Sequence, residues 1–178
     1  ITFEANPGTL TREKAQGYKS LGFNRVSMGL QSIHEKEMKK LGRIHNYQDF
    51  LVSFNLLREA GFDNISVDLM YGIPNQTEQS FIESLTAVTS LGPDHISIYA
   101  LKIEEGTPFY EKRKRLELPD EDTEYEMYKY AIDYLGFRGY WQYEISNFAT
   151  DGYKCRHNLK YWHCDEYLGL GASAHSYF

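Results

Sequence analysis

Four side chains carry the chemistry that this sequence offers most plainly: Glu4, Gln31, Arg43 and Asp68. Carboxylates accept hydrogen bonds from hydroxyl or ammonium groups, a primary amide donates and accepts, and a guanidinium is a planar fork suited to a carboxylate. Together they fit a ligand that carries hydroxyls, an amine and a carboxylate. The competing reading is a structural network in which Glu4 and Asp68 are satisfied by their own neighbours. Residue types alone leave both open.

The elements that would bring these groups together are visible as alternation. Ile1–Asn6 sets Ile1, Phe3 and Ala5 against Thr2, Glu4 and Asn6, and Arg25–Gln31 sets Val26, Met28 and Leu30 against Ser27, Gly29 and Gln31. Ile65–Met70 and His95–Ala100 repeat the division, as expected of strands with one apolar and one polar face. Helix-length segments lie between them, so the order reads β, α, β, α, β, α, β, the pattern of parallel strands joined by crossover helices. The apolar faces should meet those helices. The inward face of an ordinary β/α barrel is packed with branched aliphatics. Here it would hold Thr2, Glu4, Asn6, Ser27, Gly29, Gln31, Ser66, Asp68, Ser97 and Tyr99. Carboxylates are costly to bury unpaired, so this lumen is expected to be wet, open or filled by a polar ligand.

The punctuation supports the same elements. Thr11 can cap a helix that ends near Leu21–Gly22, Ser32–Glu35 has the form of a capping box opening a short helix to Leu41–Gly42, and Asn46 and Thr77 can each open a longer one. Arg43 is delivered just beyond the short helix, and the turn-rich Tyr71–Thr77 follows the C-terminal end of its strand, where active loops of parallel α/β folds lie. Beyond Pro108 the rhythm fails. Asp120 should open an amphipathic helix ending at Gly136, and Tyr140–Phe148 alternates like one strand.

At 178 residues the chain can build one sizeable core but falls short of the roughly 250 residues of a full eight-stranded barrel. It begins inside a strand, which reads as a piece of a longer protein. A formal charge of −6 offers no basic patch for nucleic acid, and Lys112–Arg115 sits among acidic residues as a solvated face. No apolar run approaches the ~18 residues of a membrane span. Two cysteines, Cys155 and Cys164, do not make a disulfide scaffold, and the default is a soluble cytoplasmic protein.

The 15 Tyr, 10 Phe and 2 Trp fall largely in the later part of the chain and suit either a flat apolar partner or ordinary packing. His157 with Tyr161 and Trp162 could contact a porphyrin, with imidazole as axial ligand and rings against the macrocycle. They could equally be core anchors beside a loop histidine. Cys155, His157, His163, Cys164 and His175 raise a zinc site, but their spacings match no common finger.

An ordered series of motifs now matters: Glu4–Gly8, Arg25–Ser32, Leu41–Asn46, Asp68–Pro74, Glu104–Phe109, Tyr143–Ala149 and the HNxxYW run His157–Trp162. With them the sequence resembles the HemN/HemW group of radical S-adenosylmethionine (SAM) proteins over essentially its whole length, and in HNxxYW the heme-chaperone side of that group. The resemblance implies an α/β fold, part of a partial TIM-like β/α barrel with a C-terminal α+β accessory region. It implies a SAM-binding barrel portion at residues 1–110 and an accessory region at 111–178. The family's SAM-holding positions fall on Glu4, Gln31, Arg43 and Asp68. Heme or porphyrin would be met by His157, Asn158, Tyr161 and Trp162.

The resemblance also implies a 4Fe-4S cluster held by a CxxxCxxC motif, which does not occur here. Cys155 and Cys164 have the wrong spacing for it, so no cluster ligand is assigned in this chain, and the chain alone is expected to be inactive. The implied function is a heme chaperone that delivers heme to an acceptor protein, with membrane contact only through that acceptor and a homodimer as a further expectation. The alternative is an oxygen-independent coproporphyrinogen III oxidase, and the remaining one a metabolite-binding α/β domain without redox chemistry.

Overall fold

In the computed structural model, which describes residues 1–178, the first four strands form the parallel series expected of them. They are β1 (Thr2–Ala5), β2 (Arg25–Gln31), β3 (Ile65–Tyr71) and β4 (His95–Ala100). Between them run α1 (Arg12–Ser20), α2 (Glu35–Lys40), α3 (Tyr47–Glu59) and α4 (Glu78–Ser90). Neighbouring strands β1–β2, β2–β3 and β3–β4 pair in parallel, as crossover connections require. The fold is α/β, a portion of a β/α barrel.

Alternation places the core on one side of this sheet. Val26, Met28, Leu30, Val67, Leu69 and Ile96 are fully buried. They meet Phe50, Phe54 and Leu57 of α3 and Phe81, Leu85 and Val88 of α4 in one continuous cluster. Each such large side chain contributes about 1.5–3 kcal/mol through burial.

The caps are mostly where the sequence puts them. Thr11 accepts from the Lys14 amide, and Asn46 and Thr77 form reciprocal capping boxes with Asp49 and Ser80. Ser32 departs from expectation: α2 is capped at His34, without a side-chain bond. The Ser32 hydroxyl instead donates to Glu37 at 2.6 Å. Glu37 is buried and needs donors, so it takes the hydroxyl that would otherwise have capped the helix.

After β4 come α5 (Pro108–Lys112), a single 3₁₀ turn at Arg113–Arg115, α6 (Glu121–Phe137), β5 (Trp141–Gln142), β6 (Asn147–Ala149) and α7 (Arg156–Trp162). The expected single strand over Tyr140–Phe148 is thus two short ones. The Tyr143 amide bonds the Asn147 carbonyl and the Ser146 amide bonds the Glu144 carboxylate, folding the chain back between them. β6 pairs antiparallel with β4 and β5 with β6, so the sheet order is β1-β2-β3-β4-β6-β5. Met127, Ala131 and Leu135 of α6 join the same core as the earlier helices. No helix is long and apolar enough to cross a membrane.

Candidate functional site

The polar face of the sheet is assembled by register. Glu4 lies beside Ser27 and Ser27 beside Ser66, while Gly29, Asp68 and Ser97 form the next row. The Ser27 hydroxyl lies 3.2 and 3.3 Å from the two Asp68 carboxylate oxygens. Neither Glu4 nor Asp68 belongs to any ion pair. Burial pushes the Asp68 carboxyl above its ordinary range, against the pull of the Ser97 and Ser27 hydroxyls and the Arg25 guanidinium, and Glu4 adds to the rise. The structural network weighed from sequence therefore supplies hydroxyls and no bonded cation.

Gln31 and Arg43 both come near Gly29, towards the C-terminal end of β2. The pairing with β3 slips between Gly29 and Gln31, and Gln31 has a left-handed backbone, φ 72°. For a non-glycine residue that conformation is uncommon and must be held from outside. The next residue is Ser32, tied to Glu37, which also accepts from Ser80 Oγ at 2.5 Å and Gln76 Nε2 at 3.2 Å. One buried carboxylate thus secures the loops after β2 and β3 to α4.

Arg43 emerges from the end of α2, where Gly42 takes φ 70° and the Arg43 amide returns to the Met38 carbonyl. Its Nη1 donates to Asn6 Oδ1 at 3.1 Å. A Cβ on Gly29 would lie 2.8 Å from Gln31 Nε2 and 4.0 Å from Arg43 Nη2. Glycine at 29 leaves room for the Gln31 amide where it lies, while the guanidinium is at ordinary contact distance. His45, two residues beyond Arg43, is buried, and burial with the Arg43 charge lowers its pKa.

A cavity of about 750 Å³ opens on this polar face, lined among others by Glu4, Arg25, Asp68, Ser97, His157 and Asn158. A larger open groove of about 1020 Å³, between α2 and the loop after β3, is lined largely by charged and polar residues and touches none of the predicted ones. Arg25 was not singled out from sequence. Its place at the start of a strand, on the polar face with Ser27, was the available signal.

α7 divides its motif in space. His157 and Asn158 line the cavity, whereas Tyr161 and Trp162 do not and are 48% and 50% exposed. His157 Nε2 lies 2.9 Å from the Tyr161 hydroxyl, with the rings 4.9 Å apart. Coordination through Nε2 would require that bond to break, which leaves Nδ1 as the unengaged nitrogen. Cys155 is buried and Cys164 exposed, and no group of three or more His, Cys, Asp or Glu could hold a metal ion.

A family model described as the radical SAM superfamily matches residues 1–88. The heme chaperone HemW of Bacillus subtilis is 43% identical over 176 residues, covering 98% of this chain and 46% of the relative. That of Escherichia coli is 39% identical over 175 residues, again 98% of this chain and 46% of the relative. The chain therefore spans slightly under half the length of the curated relatives it matches. Among solved structures, the coproporphyrinogen III oxidase HemN of Escherichia coli, described as a radical SAM enzyme, superposes with TM-score 0.83 at 24% identity, covering all of this chain and 44% of that one. An archaeal Elp3 from Methanocaldococcus infernus gives 0.66 at 27% identity over 74% of this chain and 32% of its own.

Proposed function

Because the chain belongs to the radical SAM superfamily, in its HemN/HemW group, we propose that the protein is a heme chaperone that holds SAM in its barrel and heme at its C-terminal helix. The observation that carries the reading is the junction of the two sites. A helix bearing His157, an exposed Tyr161 and an exposed Trp162 begins on the same cavity as Glu4 and Asp68.

Glu4 and Asp68 line the cavity and Gln31 and Arg43 lie outside its lining, and the chemistry of the four suits SAM. Glu4 and Asp68 have acceptor capacity to spare for ribose hydroxyls and an amine, the Gln31 amide suits the methionyl end, and Arg43 uses only Nη1 within the protein. Glycine at 29 leaves room for the Gln31 amide. SAM, when bound and reduced, supplies a carbon radical. The 4Fe-4S cluster that would reduce it does not fit the two separate cysteines here, and no step is assigned to these residues through it.

Heme would lie against the aromatic pair, with His157 as the candidate ligand, and pass to an acceptor protein that remains to be found by interaction. We assign residues 1–110 to SAM and 111–178 to the accessory role, a division of labour within one sheet. We place the protein in the cytoplasm, with membrane contact only through its acceptor, and sedimentation of the full-length protein tests for a homodimer.

The test uses full-length protein reconstituted without oxygen and supplied with SAM, dithionite, heme and coproporphyrinogen III. A stable heme absorption band without protoporphyrinogen supports the chaperone. Turnover to protoporphyrinogen makes the protein an oxidase, and binding of neither SAM nor heme leaves a metabolite-binding domain.

A further inference from the structure

His95 is buried at the centre of the sheet, with Nδ1 2.7 Å from the Ser66 hydroxyl and Nε2 2.7 Å from the Tyr143 hydroxyl. The Tyr143 oxygen in turn accepts from the Cys155 amide at 3.2 Å. Cys155 is the residue that opens α7, and its side chain makes no cap. The arrangement closes when Tyr143 donates to Nε2 and Nδ1–H donates to the Ser66 oxygen, which pairs both ring nitrogens and the Tyr143 proton. Burial, with the Arg25 charge nearby, lowers the His95 pKa to about 3, and burial raises that of Tyr143 to about 12. Both stay neutral near pH 7, so the connection does not switch with ordinary changes of pH.

This connection joins the two halves of the cavity. Ser66 and His95 are register partners, and Asp68 and Ser97 are the partners two residues further along the same strands. At the other end, Cys155 precedes His157 and Asn158 by two and three residues. β3 and β4, which carry Asp68 and Ser97, therefore also carry the post on which the start of α7 rests. The 7-residue α7 contains no buried side chain of its own, so the start of the helix is held through Cys155 and this post.

We propose that Tyr143 is a positioning residue: acting through the Cys155 amide, it seats His157 and Asn158 on the Glu4–Asp68 cavity, so that a nucleoside bound by the strands orders α7 and strengthens heme binding there. This rests on the SAM-and-heme reading above. A ligand that meets Asn158 or His157 in the lumen fixes the segment that heme would otherwise have to order itself, and the saving appears as positive coupling.

Two measurements on full-length protein test it. In wild type, SAM alone should slow amide exchange in residues 152–159 as well as at the strand ends, and unchanged exchange in that segment overturns the seating. Heme affinity, titrated by absorbance, should rise roughly fivefold or more with saturating SAM. Tyr143→Phe should bring that ratio close to one. A residue with a merely structural role would lower thermal stability and leave the ratio unchanged. Heme that binds equally well or more weakly with SAM overturns the inference while the chaperone reading stands. Failure of heme to bind at all removes the chaperone reading, and the exchange experiment then decides the seating alone; it needs no variant.

Discussion

Asp68 is held where its own charge is disfavoured. Two hydroxyls face it without an ion pair, and burial raises its pKa above the ordinary 3.8. The folded state therefore binds its proton more tightly than the unfolded chain does. Its penalty is complete above the raised pKa and disappears as pH falls through that value toward 3.8. Asp68→Asn keeps an acceptor for Ser27 and removes the charge, so it should stabilise the protein at pH 7 by on the order of 1 kcal/mol. Thermal unfolding should show that advantage shrinking on acidification, while SAM affinity measured by calorimetry falls. A variant equally stable at both pH values, with SAM affinity intact, would remove Asp68 from the site.

At the scale of elements, the loops matter more than the strands. Glu37, on α2, gathers Ser32, Gln76 and Ser80 from the loops after β2 and β3 and from α4. Its truncation leaves three donors facing a void, and Glu37→Ala should cost about 2–3 kcal/mol in denaturant unfolding. It should also loosen Gln31, whose left-handed backbone adjoins Ser32, so SAM affinity should fall even in conditions where the variant is fully folded. Preserved affinity would mean that Gln31 holds its conformation unaided. This clamp was not legible in the sequence. A Ser three residues before a Glu reads as a cap, and nothing local announces that a second Glu, two residues on, will be buried and claim the serine. Thr11, Asn46 and Thr77 were legible because their partners are local. The His95–Tyr143 bond joins residues 48 apart, and only the turn that splits Tyr140–Phe148 into two strands brings them together.

For the whole molecule, alternation in four strands was enough to forecast a parallel sheet with a polar lumen, because a period of two fixes which side chains share a face. It could not forecast what closes the lumen, since that depends on β6 reversing direction beside β4 and returning the chain under the polar face. The outcome is a molecule in which His157 and Asn158 of the HNxxYW motif reach the cavity, while Tyr161, bonded to His157, and Trp162 lie beyond its lining and are about half exposed on the outward side. That outward face has an optical consequence. Within residues 1–178, Trp162 and Trp141 are the only indoles, and both are exposed. With Trp141→Phe, and with any tryptophan outside these residues replaced as well, a single emitter on α7 would remain. An absorbing macrocycle laid on that helix should darken it, and a nucleoside taken into the lumen should leave it lit, so the two ligands can be told apart by fluorescence alone.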